Sequence, residues 1–163
     1  MKSTGQTECR SSATAATEWL AHAHSVPPQA RAEWADQRLA MLPLGKRFDA
    51  VRIPADVLHA ALITPHPAAE GPLLEQLLGG PVIQDDERWV YPLVPLGGAV
   101  RWRSRAAAYL GHGSWLGVPQ VDQLAPPGAY WVVPMCEPGR LCALARVAEL
   151  VEVGAARLGR GVS

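Results

Sequence analysis

Proline and glycine set the main limit on how this chain can fold. There are 15 residues of each among 163, and with arginine and aspartate they interrupt every apolar stretch. No stretch reaches the roughly 20 residues that a membrane-spanning helix needs, so we expect no membrane segment. Hydrophobic residues make up 48% of the chain, which is enough to bury a core in one domain built from short helices and strands.

The chain divides into three predicted regions. Residues 1–12 are small and polar without apolar periodicity, which predicts a disordered arm. Residues 13–158 are expected to form a single globular α+β domain, and residues 159–163 a flexible tail. The first residues hold one lysine and no apolar block, a pattern unlike a secretion signal. We therefore expect a cytoplasmic location.

Apolar spacing and turn residues predict the elements of this domain. Spacing of three and four residues predicts helices, and alternation or short apolar runs predict strands. The fold class is therefore α+β, with a small mixed or antiparallel sheet of about five strands flanked by N-terminal helices and a C-terminal helix. The predicted helices cover residues 14–24, 27–42, 54–63, 69–80 and 139–158, with a helical turn at 105–110; the predicted strands are 48–53, 82–83, 89–91, 99–104, 114–119 and 129–134.

One hairpin is expected at a charged turn. Asp85, Asp86, Glu87 and Arg88 separate two apolar runs, and aspartate is favoured at turn positions. Pro92 and Pro95 indicate that the second strand of this hairpin either lies at an edge of the sheet or bends.

Charge and cysteine content exclude several classes of function. The formal net charge is +0, so the overall positive field that drives sequence-independent nucleic-acid binding is missing, and such binding would need a local patch. Cys9, Cys136 and Cys142 lack the C-x-x-C spacing of a zinc or redox site, which predicts buried or unreactive thiols. The histidines show no ligand spacing either, and no metal or other cofactor is predicted; they are His22, His24, His59, His66 and His112.

The stretch GHGSWLG at residues 111–117 looks most like a functional loop. Its glycines are spaced one residue too far apart for G-x-G-x-x-G, and it lacks the lysine of a phosphate-binding loop. Ser114 also lacks the glycine that a nucleophile elbow places two residues before it. His112 could act as an acid or base but has no carboxylate or nucleophile beside it in sequence. We predict a turn leading into a strand that begins with Trp115.

Two clusters of charged residues are candidate sites. On a strand, Arg101, Arg103 and Arg105 would share one face beside Trp102, where they could hold phosphates while the ring stacks on a base or peptide. A solvated sheet edge explains the same pattern. The predicted partner-binding residues are Arg101, Trp102, Arg103, His112 and Trp115.

Asp85 and Glu87 form the second candidate. In an extended segment they would point to one side and could share a divalent metal ion for phosphoryl transfer. The alternative, which we favour, is that both belong to a solvated hairpin turn.

Four stretches together resemble a known family. They are LPLGKRFDAVRIPADVLHAAL, GGPVIQDDERWVYPLVP, LGHGSWLGVP and PPGAYWVVP, and they resemble short proteins from GC-rich bacteria that are grouped with the N-terminal region of bifunctional DNA primase-polymerases. The resemblance covers about residues 17–157. That family carries a D-x-D or D-x-E metal pair, then S-x-H, then an apolar residue and aspartate. Here Asp85, Glu87, His112 and Asp122 occur in this order, and Leu110 replaces the serine.

The resemblance implies one of two outcomes. Either the chain is a metal-dependent nucleotidyl-transfer enzyme using Mg²⁺ or Mn²⁺ with Asp85, Glu87, His112 and Asp122, or it is a degenerate relative that kept the scaffold. Our leading hypothesis is a non-catalytic binding or regulatory module with a protein partner or a local nucleic-acid contact. A homo-oligomeric structural protein is a third hypothesis, because six tryptophans can supply an apolar patch. The enzyme requires the four side chains to converge around a cation, whereas the module does not.

Overall fold

The structure, a computed structural model, describes residues 12–63 and 67–159. The predicted arm and tail lie outside this part of the chain except for Ser12 and Gly159, and so do Cys9 and His66. The described residues form α1 (Ala13–Ala21), α2 (Pro27–Gln37), α3 (Ala55–Leu62), α4 (Glu70–Leu78) and α5 (Leu144–Arg157), strands β1 (Leu39–Pro43), β2 (Asp49–Pro54), β3 (Val82–Asp85), β4 (Trp89–Val94), β5 (Ala108–Leu110), β6 (Trp115–Pro119) and β7 (Tyr130–Val133), and 3₁₀ helices at Pro67–Ala69 and Gly98–Arg101.

A five-stranded antiparallel sheet forms the centre of the fold. Its strand order is β5-β2-β4-β3-β7, and β1 pairs with β6 in a separate antiparallel ribbon. The α+β class with an antiparallel sheet of five strands and a C-terminal helix is confirmed.

Both faces of this sheet are buried. In β2, Val51 and Ile53 pack on one face against α3, α4 and α5, which we call the helix side. Ala50 packs on the other face against α1, α2 and the ribbon, which we call the ribbon side. The three residues are fully buried, because the sheet is covered on both faces. Strands of this kind carry apolar residues at successive positions.

Two tryptophans tie the ribbon to its neighbours. The Trp34 indole donates from Nε1 to the Val118 carbonyl at 2.9 Å, and Trp131 donates to the Pro119 and Gln120 carbonyls at 3.1 Å each. Both rings are buried, and their N–H groups are satisfied by backbone oxygens that the ribbon leaves available.

The helix side depends on a close crossing between α3 and α5. A Cβ atom added to Gly154 would lie 2.1 Å from the Val57 carbonyl oxygen, so only glycine permits this approach. At the same crossing, the Arg157 guanidinium donates to the carbonyls of Ala60 and Ala61 at 2.9 and 2.7 Å. These carbonyls belong to the last turn of α3, where a cation offsets the negative end of the helix dipole.

The predicted second helix is too long. It ends at Gln37, because Arg38 adopts a left-handed φ of 62°, and Leu39–Pro43 is a strand instead of a helix. Pairing with β6 decides this segment, since Leu39 lies opposite Pro119 and Pro43 opposite Trp115. The long-range ladder overrides the weak helical stripe of the sequence.

The assignments for residues 99–110 are also wrong. The predicted strand 99–104 overlaps a 3₁₀ helix at Gly98–Arg101, and the predicted helical turn 105–110 contains β5. Gly97, at φ 81°, starts the 3₁₀ helix. Ala108 and Tyr109 pair with β2, which draws that segment into the sheet.

Pro92 does not mark an edge strand. β4 lies between β2 and β3, and its register with β2 places Val90 opposite Ile53 and Leu93 opposite Ala50, on either side of the proline. Proline has no backbone N–H group, so this central strand tolerates it at a position where the hydrogen-bond ladder does not require a donor.

Replacing Gly154 tests the helix crossing. Gly154→Ala should lower the free energy of unfolding by about 1–3 kcal/mol, because the new methyl group is forced against the Val57 carbonyl. In a helix without such a contact the same change raises stability by about 1 kcal/mol. Urea unfolding followed by tryptophan fluorescence measures the sign. Ala156→Gly at an exposed position of α5 is the control and should cost about 1 kcal/mol or less; a stabilised Gly154→Ala protein would contradict the crossing.

Candidate functional site

A cavity of about 620 Å³ opens at one end of the helix side. Residues of α3, of the 3₁₀ helix Pro67–Ala69, of the start of α4 and of strands β3 and β7 border it. Side chains of very different chemistry line it: His59, Ala68, Glu70, Pro72, Gln84, Glu87, Leu124, Tyr130 and Val132.

Strand register brings two of the polar residues together. Gln84 on β3 lies opposite Tyr130 on β7. The register between these strands shifts at Val82 and Ile83, and Val132 and Val133 both pack with the helix-side cluster. This irregularity adds Val132 to the wall of the cavity, as bulges redirect side chains at a sheet edge.

The helices contribute a histidine and a carboxylate. Glu70 is the first residue of α4, where its negative charge is favoured by the helix dipole. Its Oε1 lies 3.4 Å from Nε2 of His59 on α3, and the Glu70 side chain is only 17% exposed. The pair closes the cavity on the side of the helices.

Carboxylates on two different elements affect the Tyr130 phenol electrostatically. Burial, then the negative charges of Glu70 and Glu87, raise the pKa of the Tyr130 phenol. Glu70 comes from α4 and Glu87 from the β3–β4 turn, so their fields overlap at this hydroxyl group. The cavity is therefore an acidic environment with a phenol in its wall.

Gln84 is the most deeply buried polar residue of the cavity wall. It is 6% exposed, it lines the cavity, and within the described part of the chain its side-chain amide makes no hydrogen bond. Among the described residues, the fully enclosed side-chain polar atoms without a partner are Asp49 Oδ1 and Arg52 Nε, so the Gln84 amide is not sealed off but opens into the cavity. Gln84 can donate and accept hydrogen bonds at once, so it is suited to a polar ligand.

Glu87 is held in a strained conformation. The turn has positive φ at both central residues, 52° at Asp86 and 54° at Glu87, and the Arg88 N–H donates to the Asp85 carbonyl at 3.1 Å. The predicted hairpin turn is confirmed, with the signs of φ that a type I′ turn requires. Glycine or asparagine is usual at such positions, and strained residues often serve binding.

The residues of the predicted metal site do not converge. Asp85 lies opposite Trp89 at one end of the sheet, while Leu110, two residues before His112, lies opposite Ala50 near the other end. The length of β2 separates these ends by about 17 Å. Asp85 and Glu87 also diverge: burial and then Asp85 raise the pKa of Tyr91, which packs on the ribbon side.

Asp122 is an exposed loop residue after β6. Within residues 12–63 and 67–159, no three His, Cys, Asp or Glu side chains form a group able to hold a metal ion. The order of Asp85, Glu87, His112 and Asp122 along the chain is thus not matched by one cluster in space.

The predicted partner surface is divided between two layers. Trp102 packs on the helix-side cluster and donates from Nε1 to the Ala107 carbonyl at 3.0 Å. Trp115 instead makes an edge contact with His24, at 6.3 Å between ring centroids, next to the ribbon. Arg101 and Arg103 are exposed but do not lie on a strand, so the expected shared face of the arginines is wrong.

The loop around His112 is a turn, as predicted. Gly113 has a φ of 96°, and a Cβ atom on Gly45 would lie 2.6 Å from the Cα of His112. His112 is exposed. The loop therefore packs closely on the turn before β2 and leads into β6.

A buried carboxylate lies next to this loop. Asp49 is 3% exposed, and its Oδ2 accepts hydrogen bonds from the Tyr109 hydroxyl at 2.5 Å and the Gly97 N–H at 3.1 Å. The Gly98 N–H donates to the Tyr109 oxygen at 2.9 Å. Burial, followed by the hydrogen bond to Asp49, raises the pKa of Tyr109 to about 12. These contacts fasten the 3₁₀ helix to the end of the sheet.

The cysteines fit their prediction only in part. Cys142 is buried, and burial raises the pKa of its thiol to about 12, so it is an unreactive thiol at neutral pH. Cys136 is disulfide-bonded, and the expectation of a thiol there is wrong.

Sequence reasoning identified only one residue of the cavity, Glu87, and gave it a different role. Two signals were present for others: Gln84 interrupts an apolar strand, and Glu70 begins a helix. Neither signal shows that the two elements meet.

Comparison with protein-family models, with curated proteins and with solved structures finds no match to this chain. Among the described residues, no helix has both the length and the apolar character that crossing a bilayer requires. The cytoplasmic location stays a prediction.

Relief of the strain at Glu87 is measurable. Glu87→Gly should raise the free energy of unfolding by about 1 kcal/mol, because glycine adopts positive φ without the steric cost of a side chain. Arg88→Gly, outside the positive-φ positions, is the matched control and should lower stability. Thermal and urea unfolding report both values. A destabilised Glu87→Gly protein would mean that the Glu87 side chain stabilises the turn more than its backbone strains it.

The acidity of the cavity can be tested at Tyr130. Glu70→Gln should lower the pKa of Tyr130, because a nearby negative charge disfavours phenolate. NMR of ¹³C-labelled tyrosine, assigned with Tyr130→Phe, follows the titration. Glu75→Gln on the exposed side of α4 should leave it unchanged, and an equal effect of both variants would contradict the geometry. Because folding raises this pKa above 10.0, the contribution to stability is complete below pH 10 and is lost as pH rises through the folded pKa.

Proposed function

We propose that this protein is a non-catalytic binding module whose cavity between α3, α4 and β7 takes up a small polar molecule. The observation that carries the proposal is Gln84, a buried side-chain amide that faces this cavity without a hydrogen bond among the described residues. A ligand in the cavity can donate to this amide and accept from it in place of water.

The size and composition of the cavity support the same function. Its volume of about 620 Å³ falls within the range of about 300–1,000 Å³ that is usual for small-molecule sites. Apolar wall residues such as Leu124, Pro72 and Val132 stand beside a few polar groups. Polar groups in such a site fix the orientation of a ligand, while apolar contacts supply area.

Nucleotidyl transfer has weaker support. A two-carboxylate metal mechanism needs its acidic groups within a few ångströms of one cation, whereas His112 and Asp85 lie at opposite ends of the sheet. The resemblance to primase-polymerases supports a scaffold relationship, with the binding role proposed here in place of catalysis. A regulatory role belongs to this proposal, whereas a homo-oligomeric structural protein stays a separate hypothesis.

Blocking the cavity tests the proposal. Ala68→Trp, at an exposed lining position of the 3₁₀ helix Pro67–Ala69, should fill the cavity mouth without disturbing the core. A panel of amino acids, polyamines, sugars, nucleosides and carboxylic acids is screened by thermal shift. A binder at a hundred times its Kd stabilises the native state by about 2.7 kcal/mol and should raise the melting temperature by several degrees. The rise should disappear in Ala68→Trp.

Ala99→Trp is the matched control, because it places the same side chain at an exposed position of the other 3₁₀ helix. It should retain every response of the wild type. The proposal fails if no compound of the panel stabilises the protein, or if all responses survive in Ala68→Trp. A response to Mg²⁺ with nucleoside triphosphates that Asp85→Asn removes would favour the enzyme instead.

A further inference from the structure

The charge of the cavity wall limits the ligands that it can hold. Among the described residues that line it there are two carboxylates, Glu70 and Glu87, and no lysine or arginine. His59 can carry at most one positive charge, so the wall is negative in either protonation state of the histidine. A concave site lined by charges of one sign concentrates ions of the opposite charge.

The two carboxylates line the cavity from different elements. Glu70 begins α4 and Glu87 lies in the β3–β4 turn, yet both negative charges act on the Tyr130 hydroxyl. Gln84 lies opposite Tyr130 in the sheet. A ligand group near Tyr130 would therefore be within the field of both carboxylates and next to the unpaired amide.

The arrangement fits an organic cation better than a metal ion. A divalent metal ion takes several protein ligands at short distance, and the described residues contain no cluster of three side chains suited to that task. A planar amidinium or guanidinium group instead offers several N–H donors in a fixed plane, which pair well with carboxylates. Leu124, Pro72 and Val132 supply apolar surface for the rest of such a molecule.

We infer that the cavity binds a small organic cation of the amidinium or guanidinium type, with N–H groups donated to Glu70 and Glu87 and a neighbouring polar group bonded to Gln84. This inference rests on the proposed function, because it names the ligand class of the same cavity. The acidic wall also disfavours anionic molecules such as nucleotides and phosphates.

Three compounds of nearly the same shape test the charge requirement. Benzamidine is cationic, benzamide is neutral and benzoate is anionic. The ¹⁵N-labelled full chain is titrated with each, and the Gln84 side-chain amide resonance is followed by NMR. We expect benzamidine to bind at least about tenfold more tightly than benzamide, because its hydrogen bonds to carboxylates are charge-assisted, and benzoate to bind most weakly.

Removal of the carboxylates should abolish this preference. In the double variant Glu70→Gln with Glu87→Gln, the ratio of the benzamide Kd to the benzamidine Kd should fall to about one. Each single variant should lose part of the ratio, which keeps the test valid if the double variant unfolds. Glu75→Gln removes a carboxylate from α4 outside the cavity and should keep the full ratio.

The outcomes separate this inference from the proposed function. Equal binding of benzamidine and benzamide that Ala68→Trp abolishes would overturn the charge requirement and support the binding module. The same conclusion holds if none of the three compounds binds while another compound of the panel does so through this cavity. If benzamidine leaves the Gln84 resonance unchanged, or binds Ala68→Trp as it binds the wild type, the inference is wrong and the cavity is not its site.

Discussion

The burial of β2 and β4 on both faces is the constraint on which the rest of the structure depends. β2 places Ala50 on the ribbon side and Val51 on the helix side, and both are fully buried. A short chain must therefore provide two covering layers for one sheet. The N-terminal helices with the ribbon form one layer, and α3, α4 and α5 form the other. Close approaches such as Gly154 on the Val57 carbonyl allow α3 and α5 to pack tightly against each other within the second layer.

The cavity is a consequence of how that second layer ends. α3 stops at Leu62, where Ile63 adopts a left-handed φ of 42°, and α4 does not begin until Glu70. Gln84 and Tyr130 border a cavity beside these helix ends instead of an apolar core. Glu87 completes the wall at a strained φ.

Local pattern predicted much of the fold but little of the site. The Gly79 stop of α4, the charged hairpin turn and the apolar face of α5 are all visible in sequence, because each depends on neighbours within a few residues. The strands Leu39–Pro43 and Ala108–Leu110 are not, because pairing with β6 and β2 decides them. The cavity depends on the same kind of information. His59, Glu70, Gln84 and Tyr130 meet only after the strands have been placed in order.

Antiparallel topology explains why the order of residues along this chain does not show which of them are close in space. Successive connections of an antiparallel sheet alternate between its two ends, so residues that follow consecutive strands are separated by a strand length. Glu87 follows β3 at one end, and His112 follows β5 at the other. The groups that do share an end with Glu87 follow β2, as His59 does, or lie at the start of β7, as Tyr130 does. A site in this fold is therefore assembled from alternate connections, and its members are distant and unordered in sequence.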